Sequence, residues 1–142
     1  MRRKRLMYVA GLIVIVGALT VIAGNVLSEH SNPPVTYTVK WDSPETEQLV
    51  RNACYACHSN ETIWPWYAYV APVSFLVVDD VKEGRREMNF STGKKLEAHE
   101  MVEQIEEGDM PPQKFLIMHP EASLTDTQKE QLISGIRATF PR

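Results

Sequence analysis

The longest apolar run of the chain lies near its N-terminus, where the 22 residues from Leu6 to Leu27 include no charged side chain. As a helix rising about 1.5 Å per residue, this run would extend about 33 Å, enough to cross a hydrocarbon core of about 30 Å. The four basic residues at positions 2–5 favour the cytoplasmic side of a membrane. We therefore predict a signal-anchor transmembrane helix over residues 1–27, with the rest of the chain outside the cytoplasm.

A cleaved signal peptide, cut after Ala23, is the alternative interpretation of this run. The apolar region of a signal peptide usually covers only about 7–15 residues. Because the run here is longer, the sequence favours a retained anchor.

Residues 28–41 lack helical periodicity. Residues 28–34 are polar and end in two prolines, which predicts a semi-stiff spacer that lifts the following domain off the bilayer, with His30 as a solvated part of it. Apolar and polar residues then alternate from Val35 to Trp41, so that Val35, Tyr37, Val39 and Trp41 would share one face. No second strand pattern follows, and we therefore expect an extended strap laid against a helical body.

Residues 42–142 carry helical signals in four places. A helix begins at Asp42-Ser43-Pro44-Glu45, with a capping oxygen and a proline at its first position, and runs to Cys54. A capping box from Thr125 to Gln128 opens the last helix, which ends near Pro141. The two helices between them are predicted from Pro72 to about Arg86, with Val73, Leu76, Val77 and Val81 buried, and from Lys94 to Glu107, with Ala98, Met101, Val102 and Ile105 buried and Gly108 as the terminator.

The charge of the chain is unevenly distributed. Four of its fifteen basic residues precede the apolar run and all eighteen acidic residues follow it, which leaves the remainder with eleven basic residues and a net charge of −7. An acidic soluble part argues against nucleic acid as a partner and favours basic or neutral proteins.

The most specific chemical signal is Cys54-Tyr55-Ala56-Cys57-His58, a C-x-x-C-H motif, which is the attachment signature of c-type haem. Two thiols three positions apart on a helical turn can both add to vinyl groups on one edge of a porphyrin. His58 then follows as the axial ligand of the iron. The motif uses both cysteines of the chain.

Two other uses of the cysteines fit less well. A structural zinc site needs four ligands, and the remaining histidines, His30, His99 and His119, are scattered singly. A redox disulfide of the C-x-x-C type expects a βαβ setting, which the surrounding pattern lacks. Trp64 and Trp66, on either side of Pro65, instead suggest aromatic walls beside a haem, although ordinary core aromatics would give the same pattern.

From about Val35 to its end, the chain resembles the bacterial haem-binding domain proteins, which are related to small cytochromes c. The resemblance lies in Cys54–His58 with the Ser-Asn-Glu-Thr that follows, Trp64-Pro65-Trp66-Tyr67, and Gly108-Asp109-Met110-Pro111-Pro112. The other matching stretches are Ala71-Pro72-Val73-Ser74, Gly84-Arg85-Arg86, Asn89-Phe90-Ser91 and His119-Pro120-Glu121-Ala122.

The resemblance implies an all-α fold, with a small cytochrome c-like helical domain over residues 42–142 built around one covalent haem c. It also implies a sixth ligand from a Met-Pro loop, which Met110 matches, with His119 and Met118 as alternatives. Arg85, Arg86, Trp64 and Asn89 are candidates to hold the haem propionates, since a guanidinium matches carboxylates well. A solvated helix end is the competing interpretation of the two arginines.

These features predict a membrane-anchored mono-haem cytochrome that transfers electrons on the outer face of the cytoplasmic membrane to redox proteins near that membrane. The alternative is a haem-based sensor or small-ligand binder with a displaceable sixth ligand. We do not expect an enzyme, because peroxide chemistry would need a distal acid–base group, and only His99 or His119 could supply one.

Overall fold

A computed structural model describes residues 2–141, and within them the regular structure is helical, with no strand. The all-α fold class is therefore confirmed. Met1 and Arg142, the outermost residues of the predicted segments, lie outside the described part. The helices are α1 (Arg2–Leu27), α2 (Pro44–Ala53), α3 (Tyr55–His58), α4 (Val73–Glu87), α5 (Ala98–Glu107), α6 (Gln113–Leu116) and α7 (Asp126–Thr139), with short 3₁₀ helices at Trp66–Tyr69 and Pro120–Ala122.

The chain divides into two compact units. The first unit contains the residues up to Ser31 together with Ile63–Asp80, and the second contains Asn32–Thr62 with the residues from Val81 onward. This division does not follow the predicted segments 28–41 and 42–142. The first unit combines the N-terminal residues with a segment from the middle of the chain.

In the first unit, α1 is a 26-residue helix that is long and apolar enough to cross a membrane. The segment that returns to it is bonded to its last two turns, where the amide of Ala71 donates to the carbonyl of Thr20 (3.1 Å). His30 packs in the same unit, with its ring 4.3 Å from that of Tyr69 and its Nε2 2.6 Å from the carbonyl oxygen of Ala68. The interpretation of His30 as a solvated spacer residue is therefore wrong.

The core of the second unit lies where α5 and α2 pack on α7. Its most deeply buried side chains include Val50, Phe90, Leu132 and Ile136. Gly135 permits the close approach of α7 to α2, since a Cβ there would collide with Thr46.

Local signals placed three helix ends correctly. Ser43 caps α2 by accepting from the amide of Thr46 (3.1 Å), and Thr125 and Gln128 form the predicted capping box of α7. Gly108 ends α5 in the left-handed conformation, with φ = 81°. Helix α5 begins at Ala98 rather than Lys94, because residues 94–97 complete the turn that follows Asn89.

The expected buried face of α4 is only partly correct. Val81 is buried as predicted, but the helix also buries Ser74, Val78 and Gly84, while Val73 and Leu76 are exposed. Gly84 lies on the buried face because a Cβ there would collide with the backbone of Cys57. On the strap, Val39 is buried, whereas Val35 and Tyr37 are 48% and 43% exposed. Residues 115–122 include the end of α6 and a 3₁₀ turn.

Candidate haem site

The C-x-x-C-H motif forms a tight turn at the end of α2. Cys54 donates its amide to the carbonyl of Val50 (2.8 Å) and so closes α2. Its own carbonyl accepts from the amides of Cys57 (3.1 Å) and His58 (2.9 Å), which begins α3. The backbone of Cys54 is not helical, with φ = −124° and ψ = −36°. The motif is therefore a separate turn set against α2 rather than a continuation of it.

Both thiols are half-buried and neither is joined in a disulfide. Burial, together with the smaller effect of the nearby Cys57 thiol, raises the pKa of the Cys54 thiol to about 12. A thiol with such a pKa is protonated and neutral near pH 7, so it has little tendency to act as a thiolate in disulfide exchange.

His58 is held by its ring nitrogen. Nδ1 lies 3.2 Å from the carbonyl oxygen of Met88, the residue after α4. When Nδ1–H donates to that carbonyl, the lone pair lies on Nε2, which is the tautomer that a metal ligand requires. Burial lowers the pKa of His58, so the neutral imidazole is favoured.

Gly84 brings α4 directly against the motif. A Cβ at this position would lie 2.7 Å from the carbonyl oxygen of Cys57 and 3.0 Å from its Cβ. Side chains do not tolerate such distances to backbone, so only glycine permits this approach. Gly84 belongs to the stretch Gly84-Arg85-Arg86 that carries the family resemblance, but no local pattern in the sequence indicates this contact.

Arg85 clamps the loop that follows the motif. Its Nε donates to the carbonyl of Ser59 (2.7 Å), and its Nη2 donates to Asn32 Oδ1 (2.7 Å) and Thr62 Oγ1 (2.9 Å). Burial lowers the pKa of Arg85, and the charge that Cys57 can carry opposes this shift. Its predicted part in propionate binding stays a prediction.

Asn89 belongs to a buried polar network behind the motif. Its side-chain Nδ2 donates to Asn60 Oδ1 (2.9 Å) and its Oδ1 accepts from the amide of Ser91 (2.8 Å). The Asn60 amide donates to Ser91 Oγ (2.9 Å), and Asn60 Nδ2 donates to the carbonyl of Pro34 (2.9 Å). These bonds fix the loop after the haem motif to the 89–94 turn and to the strap, and they occupy both polar groups of the Asn89 side chain.

Tyr55, the first residue between the two cysteines, anchors the motif in the core. Its ring stacks on Phe90, with centroids 5.2 Å apart and planes 11° from parallel. The Arg51 guanidinium lies over the Tyr55 ring, with its Cζ 4.5 Å from the ring centroid. Sequence reasoning missed this pair, since nothing local connects a variable position of the motif with a residue 35 positions later.

Met110 lies directly after α5, in the same unit as the motif. The amides of Asp109 and Met110 both donate to the carbonyl of Gln104 (3.1 Å each), which folds the loop back onto the helix end. Met110 is half-buried and the following Pro111 is buried. The backbone of the Met110 loop is thus bonded to the helix end, and the part of Met110 as the distal ligand stays a prediction.

His119, the alternative ligand, is oriented by two neighbours. Its Nδ1 lies 2.8 Å from Glu121 Oε1, and its ring stacks on Phe115 at 4.3 Å. The bond from His119 lowers the pKa of the Glu121 carboxyl.

The two tryptophans predicted near the haem belong to the first unit, whereas the other predicted site residues belong to the second. The Trp64 ring meets the His30 ring edge-on at 5.0 Å, and Trp66 is 73% exposed. Their contribution to the haem surroundings stays a prediction.

The donor set of the second unit fits haem: two thiols on one turn that are not joined in a disulfide, followed by an imidazole whose Nδ1 is already bonded. No curated protein and no solved structure matches the chain. A family model described as a haem-binding domain matches residues 14–138, which is most of the chain. The chain therefore belongs to the haem-binding domain family.

Proposed function

We propose that this protein is a membrane-anchored mono-haem c-type cytochrome that transfers electrons on the outer face of the cytoplasmic membrane. The observation that carries the proposal is the turn Cys54–His58, which presents two thiols and an oriented imidazole in a chain of the haem-binding family. Haem bound there would supply a one-electron couple between ferric and ferrous iron.

Each residue of the turn has a separate task. Cys54 and Cys57 would hold the haem covalently, each S–H adding across one vinyl double bond, so that no oxidant is needed. His58 would offer Nε2 to the iron, while its Nδ1–H donates to the Met88 carbonyl. Met110 is the proposed sixth ligand, and a His/Met pair raises the reduction potential relative to other axial sets.

Electron transfer is favoured over catalysis by the residues around the motif. They form structural bonds: Arg85 to the loop, Asn89 to Asn60, and Tyr55 to Phe90. None of these groups is arranged as a nucleophile with its base, and a proposed six-coordinate iron offers no position for a substrate. A fixed ligand environment is what a pure electron carrier needs.

The anchor and the charge define the partners of the proposed cytochrome. Helix α1 can cross a bilayer, so the redox partners would lie in or near the same membrane. The net charge of −7 outside the N-terminal segment would steer a basic partner, and exchange should slow as ionic strength rises above about 0.1 M, where the screening length is about 10 Å.

Two measurements on the purified full chain test the proposal. Acidified organic solvent should leave the haem with the protein, and a Cys57→Ser variant should lose most of the haem-containing product. Haem that extracts freely from protein made with a working maturation system would refute covalent attachment. Carbon monoxide should react slowly with the ferrous protein. Rapid binding at low concentration would mean an open iron, and the sensor hypothesis would then replace electron transfer.

A further inference from the structure

The first unit carries an apolar surface that its own core does not cover. We call the residues from Ile63 to Val78, none of which is charged, the outer apolar segment. Ile63 is 90% exposed, Trp66 73% and Leu76 64%, and Val73 and Phe75 are also exposed. Large apolar side chains at this density on one short segment mark an interaction surface.

This segment is joined to the membrane-crossing helix through its backbone. The amide of Ala71 donates to the Thr20 carbonyl (3.1 Å), and Asn25 Nδ2 donates to the Tyr69 carbonyl (3.4 Å). Gly24 has no room for a Cβ against that same Tyr69 carbonyl, so the two backbones are in direct contact. Three contacts over two turns of α1 fix the segment at the level of residues 20–25.

That level lies within the apolar length of α1. Thr20 precedes the end of the helix at Leu27 by seven residues, which at about 1.5 Å per residue is about 10 Å. Apolar side chains at a membrane interface enter the bilayer by about 5–10 Å. Groups bonded to Thr20, about 10 Å along α1 from its outer end, would lie at a similar depth.

We propose that the exposed face of the outer apolar segment inserts into the outer leaflet of the lipid bilayer beside α1. The proposal rests on the part of the proposed function in which α1 crosses the membrane. Its occupant is lipid, because the surface adjoins a helix whose own exposed apolar side chains would face lipid when that helix crosses a membrane.

The distribution of aromatic residues supports a bilayer over a protein partner. Tryptophan and tyrosine collect at both interfaces of a membrane. Helix α1 carries one aromatic residue, Tyr8, near its inner end, and none in its outer half. The 3₁₀ turn Trp66–Tyr69 supplies a tryptophan and two tyrosines at the outer end. Charged residues resume at Asp79-Asp80, where the chain would leave the head groups.

The test is photolabelling of the purified, haem-loaded full chain in nanodiscs of phosphatidylcholine and phosphatidylglycerol. A lipid-soluble diazirine probe is activated, and labelled peptides are identified by mass spectrometry. We expect residues 63–76 to be labelled to about the same extent as the outer turns of α1. Ile117, which is 78% exposed on the second unit, is the reference for an exposed apolar side chain outside the proposed surface.

Labelling of residues 63–76 no greater than that of Ile117, with α1 strongly labelled, would overturn the inference and leave the anchor intact. An unlabelled α1 would instead refute the membrane anchor on which the inference rests. The two failures are thus distinguishable.

A variant pair checks that the exposed side chains cause the labelling. Ile63→Asp combined with Leu76→Asp should lower labelling of residues 66–73 several-fold and leave α1 labelled, while the matched control Ile117→Asp changes neither. Ile63 and Leu76 are 90% and 64% exposed and lie outside the predicted haem surroundings, so the haem spectrum and helical content should be retained. Undiminished labelling of residues 66–73 in the double variant would overturn the inference.

Discussion

The contact between α4 and the haem motif can be tested with one methyl group, by the substitution Gly84→Ala. In the folded chain the new Cβ would lie 2.7 Å from the carbonyl oxygen of Cys57, 3.0 Å from its Cβ and 3.1 Å from its carbonyl carbon. Two of these three atoms are backbone, which cannot rotate away as a flexible side chain would. Helix α4 or the Cys54–His58 turn must therefore move.

Two effects of opposite sign decide the magnitude. Alanine is favoured over glycine inside a helix by about 1 kcal/mol. Overpacking a tight contact costs about 1–3 kcal/mol. Because the clash is with backbone, we expect the upper part of that range, and hence a net loss of about 1–2 kcal/mol in the free energy of unfolding. Gly84→Val, which lacks the advantage of alanine in helices and is larger, should cost more.

The assay is urea denaturation of the full chain in detergent, followed by circular dichroism, together with the yield of covalent haem per polypeptide. The haem yield should fall with Gly84→Ala, because the Cys57 peptide is the group displaced. Glu83→Ala, at an exposed neighbouring position, is the control and should change stability by no more than about 0.5 kcal/mol. A Gly84→Ala protein about 1 kcal/mol more stable than the parent, with normal haem yield, would show that helix propensity alone acts and that α4 does not press on Cys57.

Three further outcomes are expected. Met110→Ala should abolish the sulfur-to-iron charge-transfer band of the oxidised protein and lower its reduction potential, whereas Met118→Ala should change neither. An unchanged band in the first variant would move the ligand elsewhere. Arg85→Gln should lower the free energy of unfolding in urea by about 2–4 kcal/mol, because three acceptors lose a charged donor. Arg86→Gln is the control: the Arg86 side chain is 65% exposed, so its loss should cost at most about 1 kcal/mol. Equal losses in the two variants would show that the bonds of Arg85 do not stabilise the loop. Protease added to intact spheroplasts should remove the haem domain, and its survival there would contradict the outward orientation.

The features that the sequence predicted correctly depend on neighbouring residues. The Ser43 cap, the Thr125–Gln128 capping box and the left-handed Gly108 each involve groups no more than four positions apart. The stripe of α5 follows from helical periodicity. Each of these signals lies within a few consecutive residues, so a single sequence is enough to find it.

The features that it missed depend on distant residues. Arg85 bonds to partners 23, 26 and 53 positions away, and His30 to one 38 positions away. The buried face of α4 includes Gly84, which lies against Cys57, so counting apolar residues along the helix found Val81 but not Ser74, Val78 and Gly84. Tertiary contact overrode the local pattern in each case. The sequence is therefore enough to propose donors for the haem, but not to predict the framework that holds them.

That framework bears on the proposed electron transfer through a single residue, His58. Its ring Nδ1 is bonded to the carbonyl of Met88, and its backbone carbonyl accepts from the amide of Phe90 (2.9 Å). Between these two, Asn89 is tied into the buried network with Asn60. Rotating the imidazole would therefore break bonds that also hold the 88–90 segment in place. A ligand held in this way keeps its orientation when the charge of the iron changes, and reorganisation on electron transfer stays small. The sensor alternative instead requires a displaceable sixth ligand, which His58 is not, so the choice between the two functions depends on the Met110 side and on the reaction with carbon monoxide.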